Sequence, residues 1–236
     1  MSAPGLSIVI PCFNEEEGVP SLAEKILPVL KELSSQRPFE LIFVNDGSTD
    51  GTLAALEKTF AKMPETKILS HPENRNLGAA LRTGMSQALQ DLVAFLDADC
   101  TYEPRILLKM LEQDSDLVLA SPYHPQGAVE GVPAWRLGLS RSLSLLYRTA
   151  SGSHIHTYTG MVRLFRRSAF SEFQCAENDF TFVTLMTLWA VRENKKIAEV
   201  PALLGVRRTG VSKMRVLRVG TKHLKILWGV LTGSQA

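Results

Sequence analysis

Apolar residues along the chain fall into short unbroken runs, separated by longer stretches in which they return every three or four positions. The runs at 6–11 (LSIVIP), 39–45 (FELIFVN), 67–70, 92–96 (LVAFL) and 116–120 (DLVLA) read as strands buried on both faces. Between them, 15–33, 51–62, 78–89 and 103–112 carry helical periodicity, and Asp50 stands where it can cap the second of these helices. Alternating strands and helices predict βαβ units, hence an α/β fold with a mainly parallel sheet sandwiched by helices. Ligands of such sheets bind beyond the carboxyl ends of the strands. Phe13, Glu15, Asp46, Asp97 and Asp99 all fall at such ends.

After Pro122 the pattern loosens, and Pro125, Gly127, Gly131 and Pro133 mark a loop. Helices are predicted over 135–149, 180–194 and 214–231, and strands over 161–165, 197–200 and 203–207. There is no internal repeat and no low-complexity segment.

With 236 residues, 45% of them hydrophobic and 21% charged, the chain has the balance of a folded globular protein. Cys12, Cys100 and Cys175 are odd in number and widely spaced, which fits neither a disulfide framework nor a zinc site and points to a reducing cytoplasm. The N-terminus lacks the signature of a signal peptide. No apolar run reaches the roughly 18–20 residues that span a bilayer. A soluble or peripherally attached protein is expected.

Charge alters this picture at one place. After Glu199 there are seven basic residues (Arg207, Arg208, Lys213, Arg215, Arg218, Lys222 and Lys225) and no acidic one, whereas the preceding part has 19 basic against 24 acidic residues. A basic tail on an acidic body suggests an anionic partner, or simply a solvated face. Within the tail, Arg215, Arg218, Lys222 and Lys225 share one side of the predicted helix, and Val216, Leu217, Leu224, Leu227, Trp228 and Leu231 lie largely elsewhere. Such a helix can lie on an anionic membrane or pack on the body.

Asp97, Ala98 and Asp99 follow an apolar strand directly. Carboxylates at i and i+2 can converge on Mg²⁺ or Mn²⁺, which take one or two carboxylates and complete their shell with phosphate and water. The same residues can equally cap a helix. Asp46-Gly47-Ser48 is ordinary turn chemistry or a carboxylate for a base or ribose. The chain has no GxGxxG after its first strand and no GxxxxGK[ST], which argues against dinucleotide dehydrogenases and P-loop enzymes. His154 and His156 have no partners at ligand spacing and read as structural or surface residues.

Four motifs occur in order: PCFNEE at 11–16, NDGSTDGT at 45–52, NRNLGAA at 74–80 and DAD at 97–99. The series closely resembles the family 2 glycosyltransferases, which have the GT-A fold. The second half, with Trp135-Arg136, Ser140-Arg141, TGMVRLFR at 159–166, Glu199-Val200-Pro201, Arg207, Gly210, Ser212 and Lys213, resembles one branch, the polyprenyl-phosphate sugar synthases, dolichol-phosphate mannosyltransferases among them.

The resemblance implies a GT-A domain over 1–213, with a donor half to about 120 and an acceptor half after it, followed by the basic helix over 214–236. It implies a nucleoside pocket of Pro11, Phe13, Glu15, Val44 and Asp46. Asp97, Ala98 and Asp99 would hold the metal and diphosphate with Thr101 nearby, and Arg207 and Lys213 would close over the phosphates. Arg136, Arg141 and Arg163 would meet the acceptor. The activity implied is an inverting transfer from a nucleotide-sugar to a polyprenyl phosphate, at the inner face of the membrane, with no nucleic-acid partner. A phosphate acceptor is already anionic and scarcely needs a general base; a sugar hydroxyl needs one, and Asp179 is the candidate, although it is also a good helix cap. The chain departs from the pattern in three places. Ala120-Ser121-Pro122-Tyr123 stands for the usual Gly-Ser-Arg-Tyr, Met161-Val162 stands for Gly-Phe, and Thr101 stands where Gln or Ser is frequent. The absent Arg keeps open a noncatalytic nucleotide-binding module.

Overall fold

The computed structural model describes residues 3–206 and 216–232. Its elements run β1 (Leu6–Cys12), α1 (Val19–Ser34), β2 (Phe39–Asp46), α2 (Thr52–Phe60), β3 (Thr66–His71), α3 (Leu77–Gln87), β4 (Leu92–Phe95), α4 (Ile106–Leu111), β5 (Leu117–Ser121), β6 (Ala128–Val129), α5 (Ala134–Ser151), β7 (Arg163–Arg166), α6 (Thr181–Arg192), β8 (Ile197–Pro201), β9 (Leu203–Leu204) and α7 (Val216–Thr232). Seven strands form one sheet in the order β3-β2-β1-β4-β7-β5-β8, while β6 and β9 pair in parallel on their own. Only β7 runs antiparallel to its neighbours in the large sheet, β4 and β5. The mainly parallel α/β sheet expected from the strand–helix alternation is thus observed.

The two-residue period of the strands sorts the core into two layers. Leu6, Ile8, Ile10, Leu41 and Phe43 pack with α1, α2 and α4 on one face. Val9, Ile42, Val44 and Phe95 pack on the other with residues of α3, α5, α6 and α7. β1 and β2 are buried on both faces, which is why they read as unbroken apolar runs. The same parity corrects one expectation. Val44 is fully buried under α3 and does not reach the cleft.

Several boundaries shift for local reasons. The helix expected from 15 begins at Val19, because the carbonyl of Glu15 accepts from the N–H groups of both Gly18 and Val19, a turn that keeps Phe13 and Glu15 in a loop. The strand expected from 161 begins at Arg163, and the helix expected over 103–112 is the shorter α4. Asp50 behaves as expected, its Oδ1 accepting the Thr52 N–H at the head of α2. The last helix packs on the body: His223 and Ile226 are buried, and the Tyr147 hydroxyl meets His223 Nδ1 at 2.9 Å. No helix among the described residues is long and apolar enough to cross a membrane.

Candidate active site

A cleft of about 1150 Å³ opens beyond the carboxyl ends of β1, β2 and β4. Pro11, Phe13, Glu15, Asp46, Asp97, Ala98, Asp99, Thr101 and Asp179 all line it, as does Arg136 of α5. Four motifs spread over nearly ninety residues of sequence therefore share one wall.

Backbone and side-chain bonds between loops hold this wall. The Asn14 N–H donates to Ser48 Oγ, and Asn14 Oδ1 accepts from the Thr49 N–H at 2.8 Å, tying the end of β1 to the end of β2. Asn14 takes a left-handed φ of 52°, which asparagine tolerates better than most residues. Glu15 N–H donates to Thr52 Oγ1 at 2.7 Å. The third motif, NRNLGAA, orients Asp46: Asn74 Nδ2 donates to Asp46 Oδ2 at 3.1 Å and the Arg75 N–H to Oδ1 at 3.0 Å. His71 Nδ1 meets the same Oδ1 at 2.6 Å, and its Nε2 meets Thr83 Oγ1 on α3 at 2.9 Å. Asp46 is only 3% exposed, so a carboxylate is fixed at the cleft floor with little freedom to turn.

Asp97 and Asp99 bracket Thr101. The Thr101 N–H donates to Asp99 Oδ1 at 3.1 Å, and its hydroxyl lies 3.5 Å from Asp97 Oδ2. No cluster of three or more His, Cys, Asp or Glu side chains suited to a metal occurs among the described residues. Two carboxylates and a hydroxyl are nonetheless a hard-oxygen set that fits Mg²⁺ or Mn²⁺ when a diphosphate supplies further oxygens. Burial raises the Tyr102 hydroxyl pKa, and the neighbouring Asp97 charge adds to the effect. The Cys100 thiol is pushed up to about 11, mainly by burial.

The acidic segment before α6 is clamped in place from two directions. From α3, Arg82 Nη1 donates to the carbonyls of Cys175 and Glu177, and the Gly78 N–H donates to the Asn178 carbonyl at 2.6 Å. A Cβ on Gly78 would stand 2.5 Å from the Glu177 carbonyl oxygen, so the approach requires glycine. From α7, Lys222 pairs with both Glu177 and Asp179 and itself lines the cleft. Asp179 Oδ1 accepts from Thr181 N and Oγ1, so it also caps α6.

The three arginines expected to meet an acceptor separate. Arg136 lines the cleft, stacks at 5.2 Å on Trp135, and has its Nε buried with no hydrogen-bond partner. Arg141 lies exposed, 5.5 Å over the ring of Tyr123, which lines the cleft. Arg163 is fully buried, and its guanidinium donates to the carbonyls of Met161, Val183 and Gly160 and to Thr187 Oγ1. Burial lowers its pKa to about 9. Expected to bind the acceptor, Arg163 is instead a structural post, because its buried guanidinium makes four hydrogen bonds inside the protein. Arg207 and Lys213 lie outside the described residues. His156 is structural, as read from the sequence: its Nδ1 sits 2.7 Å from Glu199 Oε2. His71 and Arg82 have no local pattern that marks them, and Lys222, expected on the basic side of the last helix, instead reaches into the cleft; each acts across 12 to 96 positions.

With this geometry established, similarity adds the lineage. Residues 7–173 match the model of glycosyl transferase family 2. The chain is 29% identical over 232 residues to an undecaprenyl-phosphate 4-deoxy-4-formamido-L-arabinose transferase of Pectobacterium carotovorum, covering 96% of this chain and 66% of that protein. It is 27% identical to a polyprenol monophosphomannose synthase of Mycolicibacterium smegmatis, covering 94% of this chain and 86% of that one. It thus spans about two thirds of the length of the arabinose transferases. Among solved structures, glucosyl-3-phosphoglycerate synthase from Mycobacterium tuberculosis, crystallised with Mn²⁺, UDP-glucose and phosphoglyceric acid, superposes with a TM-score of 0.71 at 18% identity, over 98% of this chain and 80% of that one, a likeness of fold. The match across more than half of the sequence makes the chain a member of glycosyl transferase family 2, built on the GT-A fold.

Proposed function

We propose that the protein transfers a sugar, with inversion, from a nucleotide-sugar to a polyprenyl phosphate. One observation carries the choice of acceptor. Arg136 lines the same cleft as Asp97 and Asp99, and its Nε is buried without a hydrogen-bond partner. A buried guanidinium nitrogen with an unused donor is costly unless an anion meets it. A lipid phosphate supplies that anion. The relatives named for undecaprenyl phosphate and polyprenol phosphate support the same class.

The residues divide the work as follows. Pro11, Phe13 and Glu15 flank the nucleoside while Asp46 accepts a base N–H. Asp97 and Asp99, with Thr101 nearby, would hold a divalent cation beside the diphosphate; the M. tuberculosis synthase crystallised with Mn²⁺ and UDP lends support. When bound, such a cation neutralises charge developing on the leaving diphosphate. Arg207 and Lys213 would add cations to the same end. Arg136 and Arg141 draw in the acceptor phosphate, whose oxygen attacks the anomeric carbon opposite the diphosphate. No general base is required, because the attacking oxygen is already anionic near neutral pH. Asp179, the base a hydroxyl acceptor would need, is committed to Lys222 and to the head of α6. Pro122 stands where the resemblance would place an arginine, and Lys222, which also lines the cleft, is paired with Glu177 and Asp179. A lipid-borne acceptor implies work at a membrane surface, on the cytoplasmic side.

The test is to incubate the protein with Mn²⁺, a panel of nucleotide-sugars and a short polyprenyl phosphate, and to follow sugar into the lipid phase. Product in that phase with one donor is expected. Transfer only to a sugar hydroxyl would overturn the proposal.

A further inference from the structure

Seven of the eleven large apolar side chains exposed among the described residues sit on just two helices, α5 and α7. Trp135, Leu139, Leu145 and Leu146 of α5 are 48–61% exposed, and Leu224, Trp228 and Leu231 of α7 are 63–69% exposed. Both helices bury their opposite sides. On α5, Ser144 and Tyr147 turn inward, and on α7, His223 and Ile226 do so, meeting through the Tyr147–His223 hydrogen bond. The outer sides are therefore not frayed core. They are a second apolar face on helices already packed, with Leu145 and Leu146 beside Tyr147 and Leu224 beside His223 in sequence.

Charge decides what covers this face. From 131 to 171 there is no acidic residue, so all of α5 carries Arg136, Arg141 and Arg148 without a carboxylate of its own, and α7 has no acidic residue either; Lys222 turns inward to Glu177 and Asp179, while Lys225 is exposed. The chain as a whole has 24 acidic residues, so their absence from both helices is not a matter of composition. Apposing two copies through this face would set basic helix against basic helix. An anionic lipid surface satisfies both features, taking leucines into the acyl boundary, tryptophans at the headgroup level and cations against phosphate.

We infer that α5 and α7 together form a docking face for an anionic bilayer, with α5 contributing as much as the tail helix. The inference rests on the lipid-phosphate reading for its purpose and explains how such an acceptor arrives. Trp135 on the outer side stacks on Arg136, and Arg136 lines the cleft. A bilayer against Trp135 lies at the cleft mouth, so a prenyl phosphate can present its headgroup to Arg136 while its chain stays in the membrane.

The experiment is co-sedimentation of the full chain with phosphatidylcholine vesicles, with and without about one third phosphatidylglycerol. Leu145→Glu/Leu224→Glu is compared with the parent, both checked by circular dichroism and thermal melting. Expected are binding only with phosphatidylglycerol, a loss of most binding near 0.5 M sodium chloride (roughly, from screening), and an about tenfold or greater weakening in the double variant with unchanged melting. Parent protein that fails to bind either vesicle, whether it stays monomeric or self-associates, overturns the inference; so does a double variant that binds as tightly as the parent. Transfer assays keep the two proposals apart. The double variant should turn over a short, water-soluble prenyl phosphate at the parent rate and lose transfer to a long-chain acceptor in vesicles. Vesicle binding without any prenyl-phosphate transfer would leave the docking face standing and remove the acceptor.

Discussion

Lys222 Nζ lies 2.8 Å from Asp179 Oδ2, so a residue of the last helix holds the acidic group nearest to being a catalytic base. Burial pushes the Asp179 carboxyl up, but hydrogen bonds from Lys222 and Thr181 outweigh it and leave the pKa below the usual carboxylate value. Asp179→Ala should keep prenyl-phosphate transfer within about threefold while losing a helix cap, about 1 kcal/mol on a urea titration. A folded but dead variant would instead favour a hydroxyl acceptor.

The same pair has a pH signature. Asp179 is depressed, so its contribution is present above the unfolded value and fades as pH falls below about 4. Lys222 is raised by its bonds to Asp179 and Glu177, so its contribution is complete below about pH 10 and fades above it. His223 behaves differently. Burial pushes it down to about 4, so it folds neutral, and stability falls as pH drops from about 6.5 toward that value. Denaturation at pH 5 should be easier than at pH 7 by up to about 2 kcal/mol, and His223→Asn should flatten that difference.

Asp99→Ala should lower turnover by about a thousandfold or more. Calorimetry should find that Mn²⁺ no longer strengthens UDP binding, with the melting temperature retained. A variant with normal turnover would remove the pair from the site.

Asp46 offers about four lone-pair positions. His71, the Arg75 N–H and Asn74 Nδ2 occupy three of them, leaving room for a single base N–H. Uracil presents one at N3, whereas guanine presents N1–H and an amino group together. UDP should therefore bind more tightly than GDP, and N3-methyl-UDP should lose about tenfold or more, a hydrogen bond to a charged group. His71→Leu should weaken UDP while leaving inorganic diphosphate binding unchanged; equal loss of both would mean a structural role only.

Arg163→Met should destabilise the fold by about 3 kcal/mol, because it removes the buried donors to the carbonyls of Gly160, Met161 and Val183 and to Thr187 Oγ1. Lysine should not rescue it, since one ammonium cannot span those acceptors. Arg136→Met, by contrast, should leave stability within about 0.5 kcal/mol and raise the acceptor KM.

The donor wall was legible in the sequence because its residues sit directly at strand ends. Unbroken apolar runs locate Pro11, Asp46 and Asp97 without reference to the rest of the molecule. Reading failed where burial, rather than residue type, decides the role. Arg163 and Val44 have motif positions, yet strand parity and the packing of α6 and α3 enclose them. His71, Arg82 and Lys222 have no motif, and only tertiary packing gives them partners.

The antiparallel strand β7 has a consequence for synthesis. It inserts between β4 and β5, so the strand that leads into Asp97 keeps one edge open until Arg163–Arg166 has left the ribosome. An open edge of Leu92, Val93, Ala94 and Phe95 invites mispairing with any free strand. The nascent chain must carry this exposed seam through all of α5, so the centre of the sheet closes later than its β1–β3 side, and truncations before 166 should be prone to swapping or aggregation rather than to folding as a smaller nucleotide-binding unit.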